Sequence, residues 1–340
     1  MNLIDLRSDT VTKPTPAMLE FMFQAEVGDD VYGEDPTVIT LEKATAQLFG
    51  KEGGLFCPSG TMANQIAIKL HTEPLSEVIC DQTAHIYNYE GGGIAFNSAA
   101  SVCLLPGVRG KITAQQIAEN IRPDNIHYPI TRLVSLENTS NKGGGSYYTA
   151  AEIAPIAELC CTHNLALHLD GARVFNALIA ANETPAQHGQ YFDTISICFS
   201  KGLGTPVGSV LVGSEAHIKK ARRIRKALGG GMRQAGYLAA AGIFALENNL
   251  DRLADDHKRA KQLEEALKTC NFVADILPVE TNIVIFKLNE KYTPDAFLAK
   301  LGAENVLASG FGPMQIRFVT HLNFTDKMLE QTIRVLKSLN

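Results

Sequence analysis

Two residues whose side chains could do chemistry, Lys201 and Asp170, each stand directly after a predicted strand. Lys201 follows the apolar run 195–199 and precedes a turn rich in glycine and proline. Asp170 ends the apolar run 166–169. Ligand-binding residues in open α/β sheets follow the carboxyl ends of strands. We therefore expect Lys201 and Asp170 to lie at one edge of the sheet. The amine of Lys201 is suited to bond a carbonyl, provided that its pKa lies well below that of free lysine. The carboxylate of Asp170 needs a basic partner there.

Each of the two residues also has an ordinary structural interpretation. Lys201 taken alone is more often a solvated turn lysine. Asp170 alone could form an ion pair with Arg173 or cap a helix. Together, however, the two residues are the pair that a pyridoxal-phosphate enzyme needs, which is an amine for the aldehyde and an anion for the ring nitrogen.

A third feature is the segment Ser59-Gly60-Thr61, which opens a predicted helix at 62–70. Backbone N–H groups, a hydroxyl and the positive end of the helix dipole form a phosphate site there without a basic side chain. The same residues are also typical of an ordinary N-cap turn. Because no Gly-x-x-x-x-Gly-Lys-[Ser/Thr] loop is present, a nucleotide P-loop is disfavoured.

Two histidines are candidates for proton transfer or for contact with a cofactor ring. His85 follows the predicted strand 77–81, and His127 is a candidate on the same terms. An imidazole titrates near neutral pH and so could exchange protons with a substrate. A lone loop histidine is more often solvated, and the sequence leaves both interpretations open.

Two arginines are candidates for binding anions. Arg317 lies midway along the predicted strand 315–319, where a guanidinium needs an acid. A substrate α-carboxylate would match its two parallel donors, and a structural salt bridge with one of the 36 acidic residues is the alternative. Arg233 follows three consecutive glycines and could reach an anion or a partner subunit.

Strands and helices alternate through the first two thirds of the chain, which predicts an α/β fold with a mostly parallel sheet. Strands are predicted at 54–57, 77–81, 102–105, 133–136, 166–169, 195–199 and 209–212. Helices are predicted at 40–49, 62–70, 114–120, 150–163, 217–228 and 234–248. Beyond these, helices at 251–269, 294–301 and 326–339 and strands at 283–287 and 315–319 predict a small α+β domain. We therefore predict an N-terminal arm at 1–16, a large domain at 17–250 and a small domain at 251–340.

The composition limits the class of protein. The 340 residues include 45% hydrophobic and 20% charged residues, as in an ordinary globular protein. A net charge of −5 argues against a general nucleic-acid or membrane-surface partner. The seven cysteines lack Cys-x-x-Cys spacing, which predicts reduced thiols without a zinc site or disulfides. A charged N-terminus and a longest apolar stretch of only 238–246 predict a cytoplasmic location.

The motifs resemble those of the low-specificity L-threonine aldolases, a family of pyridoxal-phosphate enzymes of fold type I. The resemblance rests on six stretches in order: DLRSDTVT at 5–12, GDDVYGEDP at 28–36, PSGTMAN at 58–64, HLDGAR at 168–173, SKGLG at 200–204 and LGGGMRQ at 228–234. It implies a fold with a large cofactor-binding domain and a small C-terminal domain. It also implies a homotetramer built from dimers that share active sites.

The resemblance assigns roles to individual residues. Lys201 would bond the cofactor aldehyde, Asp170 would hold the pyridine nitrogen, and His85 would stack on the ring. Gly60 and Thr61 would bind the phosphate. The substrate carboxylate would be held by three residues, Ser8, Arg173 and Arg317. Three more would complete the site, with His127 near the substrate hydroxyl, Arg233 at a neighbour's phosphate and Tyr32 at a neighbour's site. No metal ligand is implied.

One position departs from the family pattern. Ser140, in the stretch ENTSN at 137–141, stands where many relatives carry histidine. This change could alter the preference for substituents at Cβ, or it could lie behind the pocket and change little.

The function implied by the resemblance is retro-aldol cleavage of L-threonine or L-allo-threonine to glycine and acetaldehyde, with tolerance for other β-hydroxy-α-amino acids. The base for the β-hydroxyl could be His85, His127 or a water. A phenylserine aldolase or a β-eliminating lyase would share the cofactor. A non-catalytic assembly or regulatory protein with the same fold is an alternative from another class, and a nucleotide-binding protein is a remote third.

Overall fold

The computed structural model describes residues 3–340, so the first two residues of the predicted arm lie outside the described residues. The strands are β1 (Ile4–Asp5), β2 (Gly53–Cys57), β3 (Ser76–Asp81), β4 (Ser101–Leu105), β5 (Ile130–Glu137), β6 (Ala166–Gly171), β7 (Thr194–Cys198), β8 (Ser209–Gly213), β9 (Val273–Ile276), β10 (Ile283–Leu288), β11 (Val306–Leu307), β12 (Ser309–Gly312) and β13 (Gln315–Val319).

The helices begin at residues that suit helix N-termini. They are α1 (Pro16–Phe23), α2 (Pro36–Leu48), α3 (Gly60–His71), α4 (His85–Asn88), α5 (Gly93–Ser98), α6 (Ala114–Ala118), α7 (Ala150–Thr162), α8 (Val174–Ala181), α9 (Pro185–Gly189), α10 (Glu215–Ala227), α11 (Gly236–Asn248), α12 (Leu253–Lys268), α13 (Pro294–Ala303) and α14 (Asp326–Ser338). The Asp35 side chain caps α2, whose first residue is Pro36. Thr149 and Glu152 form a reciprocal capping box at α7.

Seven strands form the main sheet in the order β2-β8-β7-β6-β5-β3-β4. The strands from β7 to β4 pair in parallel, and β8 runs antiparallel to both of its neighbours. Every residue of β3, β7 and β8 is buried, because helices cover both faces of the sheet. This double cover explains why these strands are apolar runs rather than alternating sequences.

Besides a small cluster that packs α4 and α5 against β3, two larger apolar clusters hold the helices on the main sheet. The larger one unites the sheet with α2, α7, α8 and α11, and its members include Leu41, Phe49, Leu136, Ile153, Phe175 and Ala239. The other packs α3 and α10 against β2 and β8, and its members include Leu55, Ala63, Ile66, Leu211, Ile218 and Ala221. Each cluster buries the apolar stripe of its helices, which is the main source of their stability.

A second, antiparallel sheet of order β12-β13-β10-β9 packs with α12, α13 and α14. Its core contains Phe272, Phe286, Phe297 and Phe318. The N-terminal segment joins this unit, since Ile4 and Leu6 are buried in the same core and β1 pairs in parallel with β11. Part of the predicted arm is therefore built into the C-terminal unit.

The α/β class predicted from the sequence is confirmed, with its mostly parallel sheet and its smaller C-terminal unit. The predicted boundary at 250/251 lies just before α12. Helix α8 was not predicted from the sequence. Within residues 3–340, none of the helices combines the length and the apolar character needed to cross a membrane.

Candidate active site

The predicted pair of Lys201 and Asp170 lies at the carboxyl edge of two neighbouring parallel strands. Asp170 in β6 is the register partner of Ser196 in β7, and Lys201 follows the end of β7 by three residues. Lys201 is half-buried, and its side-chain amine forms no hydrogen bond or ion pair with any other residue of 3–340. The amine is therefore free to bond a ligand.

Asp170 is buried, with 2% of its surface exposed. Its Oδ1 accepts a hydrogen bond from the Ala172 N–H at 3.1 Å. Its Oδ2 is also buried but has no partner among the described residues. Because an unpaired buried carboxylate oxygen is costly, this atom points to a cationic donor that a ligand would supply.

Arg173 does not pair with Asp170, so that structural alternative is wrong. Its partner is Asp9, which it meets with two parallel bonds, Nε to Oδ2 at 2.6 Å and Nη2 to Oδ1 at 2.7 Å. Burial alone would raise the pKa of Asp9, but the charge of Arg173 outweighs it and holds that pKa far below its ordinary value. The sequence analysis missed Asp9, although it lies inside the motif at 5–12.

Arg317 lies near Arg173 but has no acid. Its Nη1 donates to Asn141 Oδ1 at 2.7 Å and its Nη2 to the Arg7 carbonyl at 2.8 Å, while its buried Nε has no partner among residues 3–340. Burial, with the charge of Arg173, lowers the pKa of Arg317 to about 10. The alternative of a structural salt bridge is therefore not realised in the described chain, and this guanidinium is available to an anion.

His85 is the first residue of α4, directly after β3. Its Nδ1 lies 3.0 Å from Glu90 Oε1, and its ring lies 5.5 Å from that of Tyr89. Burial disfavours the charged imidazole, but the hydrogen bond with Glu90 and the charge of Asp170 outweigh this and raise the pKa of His85. The sequence analysis did not single out Glu90, for which no local pattern gave a signal.

Ligand atoms of His85, Glu90 and Asp170 lie within 4.8 Å of one another, which is close enough for a cation. However, the two oxygens of Glu90 already accept hydrogen bonds from the side-chain amides of Asn64 and Gln65. Because these N–H donors already occupy both oxygens of Glu90, they oppose the binding of a metal ion there. The free oxygen of Asp170 is therefore the feature that a ligand must satisfy.

Glu137 ends β5 beside Asp170 and is buried without a cationic partner. Its Oε2 accepts the backbone N–H of His85 at 3.0 Å, and its Oε1 accepts that of Asn141 at 2.9 Å. Burial, with the charge of Asp170, raises the pKa of Glu137 to about 7. This residue, also missed from the sequence, ties the loop that carries His85 to the loop that supports Arg317.

The segment Ser59-Gly60-Thr61 lies at the N-terminus of α3, close to β7 and β8. Ser59 Oγ accepts the Met62 N–H at 3.1 Å, so Ser59 is a helix cap. A Cβ at Gly60 would lie 3.6 Å from Ser209 Oγ and 3.9 Å from Cys198 Sγ. The cap leaves other first-turn N–H groups for an anion, and a cap and a phosphate site are compatible here.

The structure does not bring His127 to this site within one chain. His127 is exposed and precedes β5, whereas Glu137 at the other end of β5 lies beside Asp170. Eight residues of strand separate the two ends by roughly 20–25 Å. The expectation that His127 lies near the substrate hydroxyl stays a prediction, and it would require the His127 of a neighbouring copy.

Tyr32 and Arg233 lie together on an exposed face made by two loops. The Arg233 carbonyl accepts a hydrogen bond from the Asp30 N–H at 3.0 Å, and Arg233 Nη1 donates to Asp29 Oδ2 at 3.0 Å. The Tyr32 side chain is 75% exposed. The role predicted for both residues at a neighbour's site stays a prediction.

Ser8 and Ser140 have local partners. Ser8 Oγ accepts the Thr10 N–H at 3.2 Å and starts the turn that holds Asp9. Ser140 is buried, and its Oγ accepts the Gly143 N–H at 3.1 Å. Because Ser140 Oγ packs against Gly110, this side chain is part of the support of its loop.

Comparison with known proteins gives the family. A family model described as Beta-eliminating lyase matches residues 5–291. The low specificity L-threonine aldolase of Escherichia coli (strain K12) is 45% identical over 330 residues, which cover 97% of this chain and 97% of that protein. The chain belongs to the low-specificity L-threonine aldolase family. The recognition made from the six motifs is thereby confirmed.

Solved structures share the fold of this aldolase-family chain. A threonine aldolase from Leishmania major superposes with a TM-score of 0.85 at 24% identity and covers 99% of both chains. A serine palmitoyltransferase from Sphingomonas wittichii gives 0.76 at 16% identity, covering 99% of this chain and 87% of the other. The predicted fold-type I architecture of pyridoxal-phosphate enzymes is confirmed.

Proposed function

We propose that this protein, with pyridoxal phosphate bound, cleaves the Cα–Cβ bond of L-threonine or L-allo-threonine to give glycine and acetaldehyde, and accepts other β-hydroxy-α-amino acids. Family membership supports the reaction class. The observation that carries the proposal is the buried Asp170 oxygen without a partner, at the same sheet edge as the free amine of Lys201.

The chain's own residues fit the cofactor. Asp170 Oδ2 would accept from the ring nitrogen, Lys201 would bond the aldehyde, and the N-terminus of α3 from Ser59 to Thr61 would hold the phosphate. When bound, pyridoxal phosphate supplies a protonated ring that accepts the electrons left on Cα. The ionised Asp170 would keep the proton on that ring nitrogen.

Two arginines would hold the substrate carboxylate. Arg317 offers a guanidinium without an acid, and Arg173 is held rigid by its two bonds to Asp9. Ser8 precedes Asp9 and would add a hydroxyl from the same turn. A carboxylate fixed at two points sets the direction of the Cα–Cβ bond, which is the orientation that cleavage requires.

A proton acceptor is needed for the β-hydroxyl, and such a group contributes about 10²–10⁴-fold in rate. Within one chain, His85 is the candidate for this acceptor, because its Nδ1 is bound to Glu90 and its other nitrogen stays available. A water held by His85 would serve the same purpose. His127 could act only from a neighbouring copy.

The direct test uses purified protein supplied with pyridoxal phosphate and threonine. We expect the yellow absorbance of the bound cofactor and equal amounts of glycine and acetaldehyde. Replacing Lys201 with Ala should abolish both the absorbance band and cleavage, because this amine bonds the aldehyde. Full activity of Lys201→Ala would remove Lys201 from the mechanism, and a colourless wild-type protein would support a non-catalytic role.

Product analysis separates the neighbouring functions. Threonine, phenylserine and serine would be incubated with the protein in parallel. Glycine with an aldehyde from each β-hydroxy substrate supports an aldolase. Cleavage of phenylserine alone would make it a dedicated phenylserine aldolase, and ammonia with a keto acid would make it a β-eliminating lyase.

We further infer a cytoplasmic homotetramer whose sites are shared between subunits. Supporting observations are the exposed face of Tyr32 and Arg233 and the large exposed side chains Phe23, Phe96 and Ile126. Seven free cysteines, six of them buried, are typical of a reducing compartment. Sedimentation analysis tests the assembly and cell fractionation the location, and a stable active monomer would contradict the shared sites.

A further inference from the structure

Glu90 is a buried carboxylate that no part of the proposed reaction uses directly. Its side chain has no exposed surface, and three N–H donors surround it. Asn64 Nδ2 donates to Oε1 at 2.8 Å and Gln65 Nε2 to Oε2 at 2.6 Å, while His85 Nδ1 lies 3.0 Å from Oε1. Among residues 3–340, His85 is the one donor to Glu90 that can carry a positive charge, since the other two donors are neutral amides.

The orientation of the Asn64 amide is fixed by its other partners. Ser196 Oγ donates to Asn64 Oδ1 at 2.5 Å, and His168 Nε2 lies 3.2 Å from the same oxygen. His168 Nδ1 lies 3.1 Å from the Thr194 carbonyl oxygen and 3.0 Å from Thr194 Oγ1, so the Ser196 hydroxyl is the donor that orients the Asn64 amide. Because Asn64 Oδ1 already accepts a hydrogen bond on this side, the amide nitrogen of Asn64 is the atom that faces Glu90.

The Gln65 amide is fixed in the same way. Asn97 Nδ2 donates to Gln65 Oε1 at 3.2 Å, so the amide nitrogen of Gln65 faces Glu90. Glu90 therefore acts as an acceptor toward both amides. A carboxylate in this position can satisfy His85 only by accepting from it, which requires hydrogen on Nδ1.

We propose that Glu90 is a positioning residue that holds His85 as the Nδ1–H tautomer and so presents Nε2 as a proton acceptor toward the substrate. The tautomer follows from the contacts of Glu90 alone. The role of Nε2 rests on the proposed aldolase function. Carboxylates that orient a catalytic imidazole in this way are a general device of enzymes.

The same network joins the strands that carry the proposed cofactor residues. Asn64 lies on α3, Ser196 lies on β7 before Lys201, and His168 lies on β6 two residues before Asp170. The contacts of Ser196 and His168 with Asn64 thus reach Glu90 through one amide. The orientation of His85 is thereby fixed relative to both strands.

The tautomer can be read without any reaction. Solid-state ¹⁵N NMR of histidine-labelled, cofactor-loaded protein distinguishes protonated from unprotonated ring nitrogens, and a His85→Asn sample assigns the signals of His85. The spectra should be recorded at about pH 9, where an imidazole is neutral. The carboxylates that face His85 are Glu90, Asp170 and Glu137, so its titration should be followed down to about pH 5.

We expect hydrogen on Nδ1 and a bare Nε2 in the wild-type protein. Glu90→Gln removes the charge and must place an amide N–H against one of the three donors. In this variant we expect the Nδ1–H signal to weaken and the pKa of His85 to fall. For threonine cleavage, kcat should fall by about 10²-fold while KM and the cofactor absorbance change little.

Glu77→Gln is the matched control. Glu77 is also a buried glutamate, and it lies on β3. Its Oε2 pairs with Arg122 Nε at 3.1 Å, and it touches none of the site residues. We expect the tautomer of His85 and the pH profile of kcat to stay as in the wild type. An effect as large as that of Glu90→Gln would mean that any loss of a buried carboxylate disturbs His85.

Two results would overturn the proposal. One is a wild-type spectrum with hydrogen on Nε2, which needs no variant and so holds even if Glu90→Gln fails to fold. The other is a folded Glu90→Gln protein with unchanged tautomer, pKa and kcat. A protein that shows the Nδ1–H tautomer but does not cleave threonine would contradict the proposed function and leave the tautomer assignment standing.

Discussion

Arg173 and Arg317 both carry buried guanidinium groups, yet Arg173 has the carboxylate of Asp9 and Arg317 has only neutral acceptors. The charge of Arg173 is thus balanced inside the protein. The charge of Arg317 has no such counter-ion within the described residues. At the scale of single residues, Arg317 is therefore the group whose loss should act on the substrate and not on the fold.

Replacing Arg317 with Leu should raise KM for threonine by about 10- to 100-fold, since a charge-assisted hydrogen bond contributes about 1.5–3 kcal/mol. Cofactor absorbance should stay, because the cofactor ring and phosphate use other residues. Steady-state kinetics with an absorbance spectrum measures both. Arg334→Leu, at an exposed position of α14, is the control, and loss of cofactor colour in Arg317→Leu would contradict the assigned role.

At the scale of elements, two glycine-rich loops are locked together. The loop 28–36 lies on the loop 228–234, and the buried pair of Asp30 and Arg225 joins it to α10 at 2.6 Å. Arg225 also donates to the Phe56 carbonyl at 2.7 Å, which ties the same contact to β2. One desolvated ion pair therefore ties the loop 28–36 to both α10 and β2.

Replacing Asp30 with Ala should lower the free energy of unfolding by about 3 kcal/mol, because it leaves a buried guanidinium without its carboxylate. Denaturant unfolding followed by circular dichroism measures this change. Arg233→Ala breaks the neighbouring pair with Asp29, in which the arginine is mostly exposed, and should cost less than about 1 kcal/mol. Equal losses in the two variants would show that burial of the pair does not govern its contribution.

At the scale of the whole molecule, buried histidines set the response to acid. Burial lowers the pKa of His71 to about 3 and that of His168 and His257 to about 4. Unfolding exposes these rings, which then bind protons at their ordinary pKa near 6.5. Their contribution is therefore fully present above pH 6.5 and is lost as the pH falls toward 4.

His257 offers a test of this acid response, since its Nε2 contacts Asn176 Oδ1 at 2.9 Å and joins α12 to α8. Between pH 7 and pH 5, the wild type should lose about 2 kcal/mol more stability than His257→Gln, whose amide keeps a donor but binds no proton. Unfolding curves at the two pH values measure the difference. His163→Gln, at an exposed position, should behave as the wild type, and parallel losses in all three proteins would exclude His257 as a cause.

Much of the fold and part of the site follow from local sequence patterns. Continuous apolar runs predicted the parallel strands, because a sheet covered on both faces needs them. The same rule placed Lys201 and Asp170 at one edge, and a lone guanidinium in mid-strand made Arg317 a candidate. These residues could be predicted because each sequence pattern involves only a few neighbours along the chain.

The partners of those residues could not be predicted in the same way. Asp9 meets Arg173 across 164 positions, and Ser196 reaches Asn64 across 132. The position of His127 at the far edge of the sheet also follows from the direction of β5 and from no local pattern. Contacts of this kind depend on which elements pack together.

By itself, the sequence determined the order of the elements, the family and the strand ends that carry the amine and the acid, since periodicity and motif spacing are properties of the chain. Only the tertiary structure decided which charges are balanced and which remain open. Within residues 3–340, it gave Arg173 its acid, left Arg317 without a carboxylate and one oxygen of Asp170 without a partner, and set Glu90 beside His85. The physical reason is that the energy of a buried charge depends on the groups that packing brings within hydrogen-bonding distance.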